Sequence, residues 1–145
     1  MVALLDVNVL IAITWPADPA HSKCREWFIH TCPQGWASCP LTQTGYVRVI
    51  TSPGFSPDAP SIAEAVSKLE RHIAHRDHQF WAADLQLPEV WRYFVGRLQG
   101  HRQITDAYLL ALAIHRGGVL VTRDRGIRSL LPAGSPLVKH LLVLE

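Results

Sequence analysis

The sequence predicts an α/β protein, a three-layer α/β/α sandwich around a central, mostly parallel sheet of about five strands. Three observations predict it. Short apolar runs without polar alternation, Val2 to Leu5 and Val119 to Thr122, have the pattern of strands covered on both faces. Stretches with apolar residues at helical spacing separate the strand candidates. The two strongest strand runs are followed at once by aspartates, Asp6 directly and Asp124 after Arg123, which puts acids at one edge of the predicted sheet.

The elements follow in order. Val2 to Leu5 is the first strand and Asn8 to Trp15 continues as a helix until Pro16, where a ring without an N–H stops it. His21 to Thr31 places Cys24, Trp27 and Phe28 on one helical face. Trp36 to Ser38 is a short strand after the Gln34-Gly35 turn, and Thr42 is the expected N-cap of a helix from Gln43 to about Ile50. Thr51 to Pro60, with three prolines and Gly54, is a loop. Ser61 begins a helix with the apolar face Ile62, Ala65, Val66, Leu69 and Ile73. Gln79 to Ala82 is a strand candidate, and the stretch after Pro88 is a helix through Val90, Trp91, Phe94 and Leu98 that Gly100 closes. Thr105 is the expected cap of a helix from Asp106 to His115, ended by Gly117-Gly118. Val119 to Thr122 and Lys139 to Leu144 complete the sheet. No repeat, low-complexity tract or long linker divides the chain, so residues 1–145 are expected to form a single domain.

Composition narrows the class. The hydrophobic fraction of 48% and five tryptophans suit a filled core and exclude a disordered chain. A formal charge of +2 leaves the partner open. Cys24, Cys32 and Cys39 are odd in number and lack C-x-x-C spacing, so they read as buried thiols of a cytoplasmic protein, not as a disulfide framework or zinc knuckle. The opening MVALLDVNVLIAI lacks a basic leader and carries Asp6 inside its apolar run, and no stretch approaches membrane-spanning length.

Asp6, Asp106 and Asp124 are the candidate site. Taken singly, each has an ordinary structural explanation, as a helix cap, a dipole partner or a turn residue. Together they face one sheet edge, and crowded carboxylates are stable mainly when a divalent cation neutralises them. Hard oxygen ligands with open coordination positions suit hydrolysis of a phosphodiester.

The stretches L5-D6-V7-N8-V9-L10-I11-A12, I104-T105-D106-A107-Y108-L109-L110-A111-L112-A113 and L120-V121-T122-R123-D124 resemble the opening and closing acidic motifs of PIN-domain ribonucleases. G100-H101-R102-Q103 and W36-A37-S38-C39-P40-L41-T42-Q43-T44-G45-Y46-V47-R48-V49 resemble the actinobacterial VapC toxins of type II toxin-antitoxin pairs, and the likeness spans nearly the whole chain. The resemblance implies a PIN fold and an endoribonuclease that cuts structured RNA, in transfer or ribosomal RNA loops, with water activated on Mg2+ or Mn2+. It implies Asp6, Asp106 and Asp124 as metal ligands, Asn8 and Thr122 as groups that hold them, and Thr105 as a residue shaping the approach to Asp106. It also implies a VapB-type antitoxin as partner and a homodimer. Where the family usually has glutamate in a T-E-x-G pattern, this sequence has Thr42, Gln43, Thr44 and Gly45. Gln43 keeps a carbonyl oxygen for the catalytic cluster and removes a charge, so weaker metal binding is expected.

Arg102 and Arg123, then Arg48, Arg125 and Arg128, are candidates for holding RNA phosphates. The tryptophans read as core or interface anchors. His72, His75 and His78 read as a wet, charged helix end, not as a metal site, given Arg71, Arg76 and Asp77 beside them. Two rivals remain. A haloacid-dehalogenase-type phosphatase would use Asp6 as nucleophile but would need a second acid where Asn8 stands. A non-catalytic module that lost its chemistry through Gln43 would bind RNA or antitoxin without cleavage.

Overall fold

A computed structural model describes residues 1–145. The strands β1 (Ala3–Leu5), β2 (Trp36–Ser38), β3 (His78–Phe80), β4 (Val119–Thr122) and β5 (Leu141–Val143) form one sheet in the order β3-β2-β1-β4-β5. Every pairing is parallel. The chain moves outward from β1 through β2 to β3 and then returns to place β4 on the other side of β1. Strand order therefore reverses at the C-terminal ends of β1 and β4, where open parallel sheets leave a crevice.

The helices are α1 (Val7–Thr14), α2 (His21–Thr31), α3 (Pro40–Ile50), α4 (Ile62–Ile73), α5 (Leu87–Tyr93) and α6 (Ile104–His115). Alternation along the strands splits the core into two. Ala3, Leu5, Trp36 and Val121 face Val9, Leu10 and Ile13 of α1, Cys24 of α2, Tyr46 and Ile50 of α3, and Ala65 and Leu69 of α4. Leu4, Ala37 and Leu120 face α5 and α6, meeting Val90, Phe94, Leu109 and Leu110. The run Ala107 to Ala113 is buried without interruption, so α6 is an interior helix with no wet face along that stretch. No helix is long and apolar enough to cross a membrane.

Several boundaries differ from the sequence reading for local reasons. Helix α3 starts at Pro40, with Cys39 at the cap position. Thr42 is not the cap; its Oγ1 reaches back to accept from Cys39 N–H (3.0 Å) and donate to Cys39 C=O (3.1 Å). A proline already at helical φ supplies the start. Helix α6 begins at Ile104, directly after a 3-10 turn His101–Gln103, so Thr105 lies inside the first turn and caps nothing. Helix α5 stops at Tyr93, earlier than Gly100, and Gly96 adopts φ +76° beyond it. On α4, Ser61 and Glu64 exchange cap bonds (3.2 and 3.1 Å), while Ile62 and Val66 of the expected apolar face are exposed.

Candidate active site

Asp6 is where β1 becomes α1. Its backbone N–H continues the β1–β4 ladder to Val121 C=O (3.0 Å), and its extended φ/ψ turns the chain into the helix. Oδ1 then accepts from Val7 N–H (2.7 Å), as an N-cap does, and Oδ2 accepts from Thr122 Oγ1 (2.7 Å). Burial pushes the Asp6 carboxyl above its ordinary range, the bonds from Thr122 and Val7 pull it back, and Asp124 raises it again.

The Thr122 hydroxyl is fully employed. While donating to Asp6, its oxygen accepts from Asn8 Nδ2 (3.2 Å) and from Asp124 N–H (3.1 Å). Asn8 is oriented at its other end, because Oδ1 accepts from Arg123 N–H (3.0 Å). Asp124 follows at the exit of β4 and accepts from Gly126 N–H through Oδ1 (2.8 Å). Two strand ends are thus held by one hydroxyl and one amide.

Asp106, in the first turn of α6, is different. It is half-buried and makes no hydrogen bond or ion pair with the chain, and its carboxyl is pushed up to about 6 by burial first, then by Asp6 and Asp124. Each acid lies in the field of the others. Their oxygens do not all come within 4.8 Å of one another, a spacing reached instead by Cys32, His75 and Asp77. Like charge favours that separation. The donor set, three hard carboxylates with Asp106 lacking any counter-charge in the chain, fits a small divalent cation.

Gln43 is held at the exit of β2. Its Nε2 donates to Ser38 Oγ (3.0 Å), and Ser38 Oγ bonds to His78 Nε2 (2.8 Å). Gln43 makes no hydrogen bond to the three aspartates. Burial lowers the His78 pKa. With the Gln43 amide donating to Ser38 Oγ, the Ser38 hydroxyl hydrogen is free to donate to Nε2 of a neutral His78 ring, and the Gln43 carbonyl oxygen is turned away from Ser38. Sequence reasoning missed Ser38, a fully buried hydroxyl at the exit of β2, and read His78 as part of a solvated trio. A polar residue closing a buried strand was the available signal.

Thr105 is exposed and its side chain forms no hydrogen bond. Arg123 is committed to Asp18 (3.3 Å), and Arg125 and Arg128 to Glu145 (3.6 and 3.1 Å). Arg48 and Arg102 are exposed and carry no ion pair. Trp36 and Trp81 are core residues, whereas Trp91 is 49% exposed. It lines an apolar cavity of about 370 Å3 with Leu87, Leu98 and Ile104, two residues from Asp106.

The PIN domain family model matches residues 3–130, covering all three aspartates. The chain belongs to the PIN domain family. Relatives include Ribonuclease VapC38 of Mycobacterium tuberculosis (strain ATCC 25618 / H37Rv), 45% identical over 88% of this chain and 89% of the relative. Ribonuclease VapC44 of Mycobacterium tuberculosis (strain CDC 1551 / Oshkosh) is 40% identical over 99% of this chain and 100% of the relative. Among solved PIN-like folds, the structure of VapBC2 from Rickettsia felis bound to a promoter DNA fragment aligns with a TM-score of 0.65 at 13% identity, covering 100% of this chain and 98% of that one. PAE2754 from Pyrobaculum aerophilum aligns at 0.60 and 23% identity, covering 90% and 79%. At those identities the two structures speak to the fold alone. Membership of the PIN family also removes the phosphatase rival, whose second acid is here an asparagine bonded to Thr122 and Arg123.

Proposed function

We propose that this chain is the toxin of a toxin-antitoxin pair and an endoribonuclease, with Asp6, Asp106 and Asp124 holding Mg2+ or Mn2+. The observation that carries the reading is Asp106, an acid without a partner in the chain, raised to about 6 beside two further carboxylates at the switch point of the sheet. The names of relatives up to 45% identical supply the reaction class. When bound, the cation supplies positive charge that eases deprotonation of water and offsets charge on the phosphate.

The chain's own residues do the rest. Asp6 is immobilised through both oxygens, so it presents its remaining lone pairs from a fixed position. Thr122 and Asn8 hold Asp6 and the start of the Asp124 turn in register. Gln43 brings a neutral amide where the family resemblance expects a carboxylate, which favours one ion over two. Exposed Arg102 and Arg48 are the arginines able to take up RNA phosphates; Arg123 would first have to leave Asp18. The partner that restrains the enzyme is a VapB-type antitoxin, and exposed Leu41 and Ile104 offer apolar surface for a homodimer.

Folded transfer and ribosomal RNA incubated with the purified chain test the reading. Cleavage that requires Mg2+ or Mn2+, stops with a chelator and is lost in Asp6→Ala is expected. RNA that binds yet stays intact across a full Mn2+ titration would instead support the non-catalytic module, the alternative favoured by Gln43 bonding to Ser38 and not to the acids.

A further inference from the structure

At the opposite edge of the sheet three unlike ligands converge. Cys32 follows α2 and precedes β2; His75 and Asp77 form the turn between α4 and β3. One ligand atom from each, a thiol sulfur, an imidazole nitrogen and a carboxylate oxygen, lies within 4.8 Å of the other two. Both segments stand at the N-terminal ends of their strands, whereas Asp6 and Asp124 follow the C-terminal ends of β1 and β4. This is a separate place in the molecule.

The arrangement is backbone-built. The His75 turn is closed by bonds from His75 N–H to His72 C=O (3.1 Å) and from His78 N–H to His75 C=O (3.0 Å). The Cys32 turn is closed by Gly35 N–H to Cys32 C=O (2.9 Å). Trp36 N–H to Asp77 C=O (3.0 Å) then ties the two turns together at the head of the β2–β3 ladder. Within the cluster, His75 Nδ1 accepts a long hydrogen bond from Asp77 N–H (3.2 Å), so that nitrogen carries a lone pair and not a proton. The same nitrogen stands 3.7 Å from Asp77 Oδ2. Zinc bonds of about 2.0 to 2.3 Å at tetrahedral angles put ligand atoms roughly 3.3 to 3.8 Å apart, so the 3.7 Å spacing suits a shared ion once the Nδ1 lone pair exchanges the Asp77 N–H for the metal.

We infer that Cys32, His75 and Asp77 form a zinc site that pins the edge strand β3 and the end of α4 to the end of α2. A thiolate and an imidazole select Zn2+ over the hard Mg2+ suited to the three aspartates, so the two sites discriminate by ligand softness. Three protein ligands leave the fourth position to solvent. The competing cation is Arg76, whose Nε is 3.9 Å from Asp77 Oδ2 on a side chain 90% exposed, free to swing into water.

Co2+ and Zn2+ titrated into the reduced full chain provide the test. One equivalent of Co2+ should give a near-ultraviolet thiolate-to-cobalt band that Cys32→Ser abolishes and His75→Ala weakens. The double variant Asp6→Asn, Asp106→Asn should keep the band, which separates this site from the proposed nuclease centre whatever that centre does to RNA. In the Asp6→Asn, Asp106→Asn background Zn2+ should raise the melting temperature, and adding Cys32→Ser should abolish that rise. Absence of the band, its persistence in Cys32→Ser, or an unchanged melting temperature of the double variant under Zn2+ each overturns the proposal.

Discussion

Thr122 donates its hydroxyl hydrogen to Asp6 Oδ2 across 2.7 Å, joining the end of β4 to the end of β1. Because the same oxygen accepts from Asn8 and from Asp124 N–H, the isosteric change Thr122→Val strips one donor from a buried carboxylate and strands two others. Leaving buried polar groups unsatisfied costs about 1–3 kcal/mol, and loss of a group that orients a ligand lowers metal affinity about 10- to 100-fold. Urea denaturation and Mn2+ calorimetry on Thr122→Val measure the two losses, and Thr122→Ser should recover most of both.

Asp106 sets a pH dependence opposite in sign to that of a salt-bridged acid. Its folded pKa, about 6, lies above the ordinary 3.8, so the folded chain binds a proton more tightly than the unfolded chain. Stability of the metal-free protein from this group therefore rises as pH falls through about 6 and levels off below about 4. Asp106→Asn removes the charge altogether. At pH 7.5 without metal it should be the more stable protein, by about 1 kcal/mol once solvent screening of a half-exposed group is allowed for. Thermal melts from pH 4.5 to 7.5 in chelator should show the wild type gaining relative to the variant on acidification. Protons compete with a cation for the same oxygens, so Mn2+ affinity of the wild type should weaken below pH 6.

The chain His78–Ser38–Gln43 makes Gln43→Glu more than an added charge. A carboxylate at position 43 can only accept, so Ser38 must turn its proton towards it, and His78 Nε2 loses its donor. The ring recovers the bond by taking a proton at Nε2. The added carboxylate charge beside the ring also favours its cationic form, so the His78 pKa should rise from its lowered position. NMR titration of the histidine ring protons follows this shift. Metal affinity and RNA cleavage should both rise in Gln43→Glu; no gain in either would remove the account of Gln43 as a weakened ligand.

How much of this was legible in sequence depends on what each feature leaves along the chain. His21–Thr31, Trp36–Ser38 and Val119–Thr122 were read to the residue because proline, glycine or a charge marks their ends. The positions of the three aspartates were legible for a similar reason, since Asp6 and Asp124 stand at or just past strand ends and Asp106 lies in the first turn of α6. The start of α3 was misplaced because Thr42 resembles a cap while Pro40, two residues earlier, does the initiating. Contacts between distant residues left no trace at all: nothing in the spacing says that Ser38 meets His78, that Arg123 is held by Asp18, or that Cys32 meets His75. Those depend on the order β3-β2-β1-β4, which the strand runs alone do not specify.

Gly45 sets the distance between the helices that carry Gln43 and Asp6. A Cβ there would stand 2.6 Å from Val7 Cγ2, and Val7 is the first residue of α1, next to Asp6. Two effects of Gly45→Ala oppose each other. Alanine in a helix interior is favoured over glycine by about 0.5–1 kcal/mol, whereas forcing a methyl into a filled contact costs about 1–3 kcal/mol. At 2.6 Å the clash wins, because the obstacle is the stiff β-branched Val7 packed at the head of α1, and relief requires α3 and α1 to part. Gly45→Ala should therefore destabilise the fold by about 1 kcal/mol net and reduce RNA cleavage by moving Asp6. Val7→Ala removes the obstructing methyls, so in the double variant the helix-propensity gain should survive without the clash. A double-mutant cycle read by chemical denaturation should then give a coupling energy of at least about 1 kcal/mol, while additive losses would mean that Gly45 is needed for something other than this contact.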